Sequence, residues 1–468
     1  MASTYLIRST PSESFNKLTV SCWFKGMADG TQRNFWGLYD NTDTNRFFGL
    51  YYSSNGSLYG YWKQDGGVVF TLGTTQKFSD PTSWYHFVMT MDTTLATAAD
   101  RIKFYVNGER VTSFEDGLDT ITQSKNCDLM NGTTDGRMQL GGGKIGSTQY
   151  YWNGSMSHCH MCVGYAYDAS YFGQTDSTSG IWKIKTGPSV SYGDNGGFWL
   201  KDGSQLTDSS SNSNTLTVGA GTITPTKDNP SNNFATFNSL YVPTSNLPTF
   251  SNANTTVTHP TTAGAWRTMA ATLGVRTGKW YWECIGGNGS GHIYNGVCSP
   301  EWLQSGNPSS TGPSGEMGYN LSQPSVGIYG VNGNLVYSNT SGNGNLDSGY
   351  SDTYVDSDYI STYLDLDNHK IYFSKNGTIQ NSGTGQDIQT GFTYLPCISL
   401  YNSAAAGASI NFGNGTFFST ALTGTTYSDN DSIGTFKYSP NYGGAATFDG
   451  SAKNFMALCT KNLKAYGG

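Results

Sequence analysis

Charged side chains are scarce in this chain. They make up 13% of its 468 residues, against roughly 25% in an average globular domain. A disordered chain has high charge and few aromatics, so that class is excluded. There is no basic excess: 26 Lys and Arg face 33 Asp and Glu, a net charge of -7. Such a balance offers no general attraction for nucleic acid. No apolar run approaches the roughly 18 residues of a membrane-spanning helix. The Ala, Glu, Lys and Leu bias of a coiled coil is missing as well. The opening residues, Met1 to Ser14, lack the basic-then-apolar order of a secretory leader, so synthesis in a cytosol without export is expected.

Glycine and tyrosine are abundant, at 60 and 31 residues. Apolar residues alternate with polar ones along most of the chain. Leu18, Val20, Cys22 and Phe24 fall on one strand face, and Ile102, Phe104 and Val106 on another. Asn-Gly occurs eleven times, as at Asn107-Gly108 between two alternating runs. That pair accepts the positive φ angles of a tight hairpin turn. One short helical turn is expected at 168–172, capped by Asp168. The pattern predicts an all-β chain of two antiparallel β-sandwiches in tandem, jelly-roll-like in character. The eight cysteines lie mostly in apolar strand-like runs. They read as buried free thiols, which a reducing cytosol would keep unbridged.

Composition shifts give the domain limits. Residues 203–262 are rich in Ser, Thr, Asn, Gly and Pro and read as a linker and closing segment. They separate a first block, 1–202, from a second, 263–429, and 430–468 follows as a tail. Between Tyr281 and His369 there are nine acids and no Lys or Arg. Asn233 to Leu240 echoes Asn454 to Thr460, and the two read as closing segments of two domains.

The first block resembles the laminin-G-like branch of the concanavalin-A-like lectin/glucanase superfamily. The resemblance rests on Trp84-Tyr85-His86-Phe87, on Ile102 to Gly108, on Trp152 to Met156 and on Asp168 to Gly173. Gly180-Ile181-Trp182 and Tyr192 to Phe198 are similar to laminin-G-like virion proteins of marine bacteriophages. The second block resembles a SPRY domain in Gly278 to Glu283, Asp358 to Asp367, Ile371 to Gly377, Leu395 to Ser399 and Ile410 to Gly413. These resemblances imply a bent β-sandwich in each block. They bear on function only through binding roles, since both folds host many.

Motifs with catalytic or metal chemistry have plainer readings beside them. Relatives that cleave glucans carry Glu-x-Asp-x-x-Glu on one strand, and none of the six Glu here fits that spacing. A retaining glycosidase needs two carboxyls about 5 Å apart. The nearest cluster, Glu115 and Asp116 with Asp119, reads as a solvated turn. In His158-Cys159-His160-Met161-Cys162 the two thiols point to opposite strand faces and cannot share an ion. His158 and His160 share a face, without a third ligand, and read as outward-facing structural histidines. Asp352, Asp356, Asp358, Asp365 and Asp367 suit Ca²⁺ by type but form no ligand loop. Asp365 reads instead as an acceptor of backbone hydrogen bonds. No cofactor or metal is therefore assigned.

Sugar recognition uses aromatic faces beside hydroxyl-binding polar groups. Trp266, Trp302 and Tyr329 lie in or beside expected loops of the second block and are the carbohydrate-binding candidates, with a structural role as the alternative for each. Phe455, Met456 and Leu458 are candidates for docking the tail on another protein, with packing on their own domain as the alternative. The expected function is that of a non-enzymatic virion structural protein: a capsid decoration, appendage or fibre-tip component. Its partners would be other virion proteins and host-surface polysaccharide or glycan, with a homo-oligomer left open and no nucleic acid or membrane span. A phage polysaccharide depolymerase and a cellular protein-interaction module are the competing readings. The missing carboxylate pair opposes the first of these, and the laminin-G-like partner block opposes the second.

Overall fold

The structure is a computed structural model. It describes residues 4–26, 30–118, 121–131, 135–201, 203, 206–241, 247–259, 266–287, 292–305, 317–318, 323–338, 345–401, 407–441, 447–448, 451–452 and 455–467. The chain divides into two compact units, Met1–Pro225 and Thr226–Gly468. Strand accounts for 46% and helix for 5%, as the alternation predicts. No helix among the described residues is long and apolar enough to cross a membrane.

In the first unit, an eight-stranded sheet runs in the order Phe114–Leu118, Gly67–Thr74, Leu58–Gln64, Phe47–Tyr52, Arg33–Asp40, Gly136–Leu140, Tyr5–Ser9, Thr217–Ala220. A six-stranded sheet runs Gly197–Trp199, Ser155–Val163, Lys17–Lys25, Tyr85–Asp92, Ile102–Val106, Glu109–Arg110. Their inner faces make one core. Leu18, Val20, Cys22, Phe24, Phe87, Met89 and Phe104 meet Trp36, Leu38, Phe48, Leu50, Trp62 and Phe70. Burying each large side chain contributes about 1.5–3 kcal/mol. The Ile102–Val106 strand reverses through Asn107 and Gly108, at φ 48° and 87°, which is the expected turn. The single turn Ala169–Tyr171 is capped by Asp168, which accepts the Ser170 N–H at 2.8 Å.

The second unit repeats the layering. One sheet has the path Thr249–Ser251, Thr256–Thr258, Gly407–Asn411, Lys279–Gly287, Tyr359–Asp365, Lys370–Lys375, Thr378–Ile379. Met456–Ala457 adds to Lys279–Gly287 in parallel, whereas the other strand pairs of this sheet are antiparallel. The other sheet runs Trp266–Ala270, Leu395–Tyr401, Ile293–Cys298, Ser325–Tyr329, Leu335–Ser338, Asn345–Asp347. Trp280, Trp282, Ile360, Leu364, Phe373 and Ile410 pack on Met269, Ile293, Val326, Ile328 and Leu400 between them.

Three expectations from the sequence need correction. Residues 203–262 are not one linker: Thr217–Ala220 pairs with Tyr5–Ser9 in the first unit, while Thr249–Ser251 and Thr256–Thr258 extend a sheet of the second. Their polar composition hid short strands at or next to sheet edges, where one face can stay in water. Residues 430–468 are not a free tail. Met456 pairs with Trp280, and Phe455, Met456 and Leu458 are only 1%, 2% and 0% exposed. The two echoing segments do not close separate domains either. Phe234 bridges Cys459, the Ala235 N–H donates to Leu458 O, and the Thr460 N–H donates to Asn233 O, both at 2.9 Å. Similar apolar patterns arise because both segments line the same layer.

Candidate functional site

On the second unit's six-stranded sheet, the face turned away from the core carries an aromatic group at one end. Alternation places His292 and Tyr294 on that face of one strand and Tyr401 on that face of its neighbour. Trp266 lies opposite Tyr401, and Tyr294 opposite Tyr329. The Trp266 ring sits 4.8 Å from Tyr294, 5.7 Å from Tyr329 and 5.1 Å from Tyr401, centre to centre. Tyr294 and Tyr329 stack at 4.5 Å and 15°. His292 Nδ1 and the Tyr329 hydroxyl share a hydrogen bond of 2.6 Å. Trp266, Tyr329, Tyr401 and His292 are all partly exposed, whereas Tyr294 is buried beneath them. The group therefore offers ring surface rigidly set by neighbours, with a phenol and an imidazole at its margin.

Trp266 and Tyr329, chosen from sequence, thus come together. Trp302 shares their apolar cluster but is buried in it. It sits in the short helix Pro300–Ser305, 2% exposed, within a cluster of Cys298, Met317, Val336 and Cys397 on the same sheet face. Its own helix lays it on the sheet, so it offers no face to a ligand. Tyr294, Tyr401 and His292 escaped the sequence reading. The available signal was their period-2 placement on strands flanking Trp266.

In the first unit, the acids weighed for catalysis are held otherwise. Glu115 Oε1 accepts from Asn55 at 2.8 Å, Ser57 Oγ at 2.8 Å and the Tyr59 hydroxyl at 2.9 Å, while Lys77 binds Oε2 at 2.5 Å. Lys77 first, then Asn55 and the other donors, hold the Glu115 carboxyl down at about 2. A general acid needs the opposite shift. Asp116 Oδ2 accepts from the Tyr59 hydroxyl at 2.6 Å. Asp119 lies outside the described residues.

The two histidines of the His-x-His motif are buried rather than outward-facing. A β-bulge, with His158 at φ 46°, interrupts the pairing between Ser157 and His160. The extra residue turns Cys159 into the core beside Cys22, while His160 keeps the outer face. There the segment following the strand covers it. His160 Nδ1 bonds the Tyr192 hydroxyl at 3.0 Å, and its ring stacks 4.0 Å from Phe198. His86 is sealed under the same layer: Trp182 Nε1 donates to its Nδ1 at 3.0 Å, and Nε2 meets Ser21 Oγ at 2.8 Å. Burial pushes the His86 imidazole down to about 3. Cys162 points away from the core, opposite Cys159, as strand geometry demands. All eight cysteines are buried and unbridged.

Three of the acids weighed for Ca²⁺, Asp358, Asp365 and Asp367, are taken up by the fold, while Asp352 and Asp356 are exposed. Asp365 accepts the Asn368 N–H at 3.0 Å and pairs with Lys279. Asp367 accepts the Gly278 N–H at 2.8 Å, and Asp358 the Val355 N–H at 3.0 Å. Glu283 is different. It is fully buried on the Lys279–Gly287 strand and accepts the Lys437 and Tyr438 N–H groups at 2.9 and 2.6 Å. The Tyr281 hydroxyl and Asn411 Nδ2 complete its shell at 3.0 and 3.1 Å. Burial outweighs these donors and pushes its carboxyl up to about 7.

Residues 3–161 match the family model of the concanavalin A-like lectin/glucanases superfamily. Among solved structures, the chain is similar to the SPRY domain of human HERC1 at 19% identity, covering 37% of this chain and 96% of that one, with a TM-score of 0.29. It is similar to a second human SPRY domain at 15% identity, covering 33% and 90%, with a TM-score of 0.26. A heptameric SAP-like pentraxin from Limulus polyphemus also matches at 15% identity, covering 47% and 89%, with a TM-score of 0.29. No curated protein matches.

Proposed function

We propose that the chain is a non-enzymatic adhesion protein that binds glycan through the partly exposed Trp266, Tyr329 and Tyr401 rings. In this reading it serves as a structural component of a phage particle, as a capsid decoration, appendage or fibre tip. The observation that carries the glycan reading is the aromatic group itself. Its rings are fixed by cross-strand neighbours, so little ordering entropy is lost when a sugar face stacks on them. A lectin-like first unit agrees with it. The particle setting is supported by the likeness of Gly180 to Trp182 and Tyr192 to Phe198 to laminin-G-like virion proteins. A non-enzymatic role is supported by Glu115, whose depressed ionisation is wrong for a general acid.

Titration of the full chain with host-surface polysaccharide, followed by tryptophan fluorescence, tests the adhesion. W266A is expected to weaken binding about tenfold or more. Unchanged affinity would remove this surface from the reading, and release of reducing sugar would favour a depolymerase. Mass spectrometry of purified particles tests the setting, and absence of the chain from them would refute it.

A further inference from the structure

A second polar-aromatic surface lies in the first unit, on the outer face of the eight-stranded sheet. Its floor is formed by Gly67–Thr74, Leu58–Gln64 and Phe47–Tyr52, about 10 Å across at the usual strand spacing. Tyr51 stands opposite Tyr59, and the two rings stack at 5.2 Å and 11°. Phe47 and Tyr61 stack at 5.3 Å and 10°. The ring of Tyr59 lies over Gly73, where a Cβ would fall 2.2 Å from it. On one side the hairpin Gly142–Ile145 and Thr148–Tyr151 folds over Arg33–Asp40, close enough that a Cβ on Gly37 would meet the Gly143 Cα at 3.1 Å. On the other side the edge strand Phe114–Leu118 brings Glu115 and Asp116.

The polar groups here are unequally used. Both oxygens of Glu115 are taken by Asn55, Ser57, Tyr59 and Lys77. Asp116 gives one oxygen to Tyr59, and its Oδ1 has no partner among the described residues. The hydroxyls of Tyr51, Tyr61 and Tyr150 likewise have none there. All three side chains are only partly exposed. Tyr51 senses the other groups: burial, then Tyr61, Asp116 and Tyr150, pushes its phenol up and keeps it protonated. Phenols without internal partners keep both donor and acceptor available to whatever reaches the surface.

We propose that this surface is a second glycan site, which takes an uncharged sugar residue through the Tyr51, Tyr61 and Tyr150 hydroxyls and the free oxygen of Asp116. It rests on the reading that the chain adheres to glycan, but uses a different unit and different residues. A phenol both donates and accepts, which matches a sugar hydroxyl, and a carboxylate accepts from one. Lys77 is already spent on Glu115, and Lys63, on the same face as Tyr61, donates to Asn45 Oδ1 at 2.8 Å, so the Asp116 carboxylate is the one formal charge among the proposed contacts. A sulfated or uronic sugar is repelled, and a neutral hexose unit is not.

The test uses the full chain, with and without W266A, and two probes: a neutral glucan or mannan, and a sulfated polysaccharide of similar length. In the W266A background, Y51F/Y61F removes two hydroxyls and leaves the ring stacks intact. It is expected to weaken neutral-glycan binding roughly 10-fold or more, at a few-fold per hydroxyl. D116N is expected to lower affinity for the neutral probe and to raise it for the sulfated one. Unchanged neutral-glycan affinity in Y51F/Y61F and D116N, with W266A abolishing binding, overturns this site and leaves the adhesion reading standing. Binding of neither probe by the unsubstituted chain overturns both. Stronger binding of the sulfated probe by the unsubstituted chain overturns the charge argument, and with it the proposed ligand class.

Discussion

The two units cover one outer sheet face each, and they do it with different chemistry. In the first, the segment after Ser155–Val163 seals two imidazoles, His86 and His160, under Trp182, Tyr192 and Phe198, and a buried Asp208 accepts the Phe198 N–H at 2.8 Å. In the second, the C-terminal segment covers Tyr281, Tyr363 and Tyr372 and is tied down by two buried carboxyls. Glu283 holds the N–H groups of Lys437 and Tyr438. Asp429 accepts from Ile433 at 2.7 Å, Gly434 at 2.9 Å, Ala457 at 3.0 Å and Asn462 at 2.9 Å. A cover sealed over two imidazoles and a cover laid over a buried glutamate should respond differently to truncation and to pH, and that contrast can be tested.

The largest effect is expected from removing residues 451–468. Phe455, Met456 and Leu458 leave the core with them, and truncating a single buried side chain to Ala already costs about 2–5 kcal/mol. Together the losses approach the whole stability of a domain, about 5–15 kcal/mol. Limited proteolysis of this variant should leave the first unit resistant and digest the second. A protected second unit would mean that its cover is dispensable, and the contrast would fail. Replacing Leu458 alone by Ala should lower the stability of the second unit by about 2–5 kcal/mol in denaturant unfolding.

Next comes pH. An imidazole pushed down to about 3 in the folded state takes up a proton more readily when unfolded. His86 therefore contributes stability that is present above about 6.5 and is lost as the pH falls towards 3. Glu283 runs the other way. With its folded ionisation near 7, the folded state holds the proton more tightly, so its contribution is present below about 4.5 and is lost as the pH rises through 7. Between pH 7 and pH 5 the first unit should lose, and the second gain, on the order of 2 kcal/mol from these groups. Asp358, lowered in spite of its burial by the Val355 N–H, Asn376 and Lys375, loses its contribution only as the pH falls below about 3.9, outside this window. Hydrogen exchange resolved by unit at the two pH values measures this, and E283Q should flatten the response of the second unit only. Parallel responses of both units would refute the assignment.

Strand faces were legible in the sequence because alternation is a local property. Leu18 to Phe24 and Ile102 to Val106 face the core as read, and Asp168 caps the turn it was expected to cap. What covers the other face is set by residues far along the chain, and no local period reports it. That is why Trp302 reads as a loop aromatic although its helix lies on the sheet, and why Phe455 to Leu458 reads as a docking patch although Trp280 awaits it. His158 and His160 were misplaced for the same reason: His160 keeps the outward side that alternation gives it, and Tyr192 and Phe198 cover it. The bulge at His158 is a separate feature, an extra residue in the strand that no local period reports. The aromatic group at Trp266 was half legible. Two of its members were named, and the others sit on strands whose neighbours only the pairing reveals.

The smallest effect concerns one device the two covers share. Each lays an aromatic ring on the glycine of an Asn-Gly hairpin: Trp182 over Gly108, and Tyr438 over Gly377. Both glycines have positive φ, at 87° and 81°, and a Cβ at either would fall 2.5 Å from a ring atom. Alanine at such a φ costs about 1–2 kcal/mol in backbone strain alone. Gly66, at φ 79° with nothing within 4 Å of its Cβ position, isolates that strain. G108A and G377A should therefore each destabilise their own unit more than G66A does, by about 1–3 kcal/mol of overpacking. Combining G377A with Y438A should remove the excess, because the ring is then gone. The same pairing of G108A with W182A should remove less, since losing Trp182 also leaves His86 Nδ1 without its donor. Equal rescue in both units would show that the imidazole does not depend on the indole, and that the two covers are built alike after all.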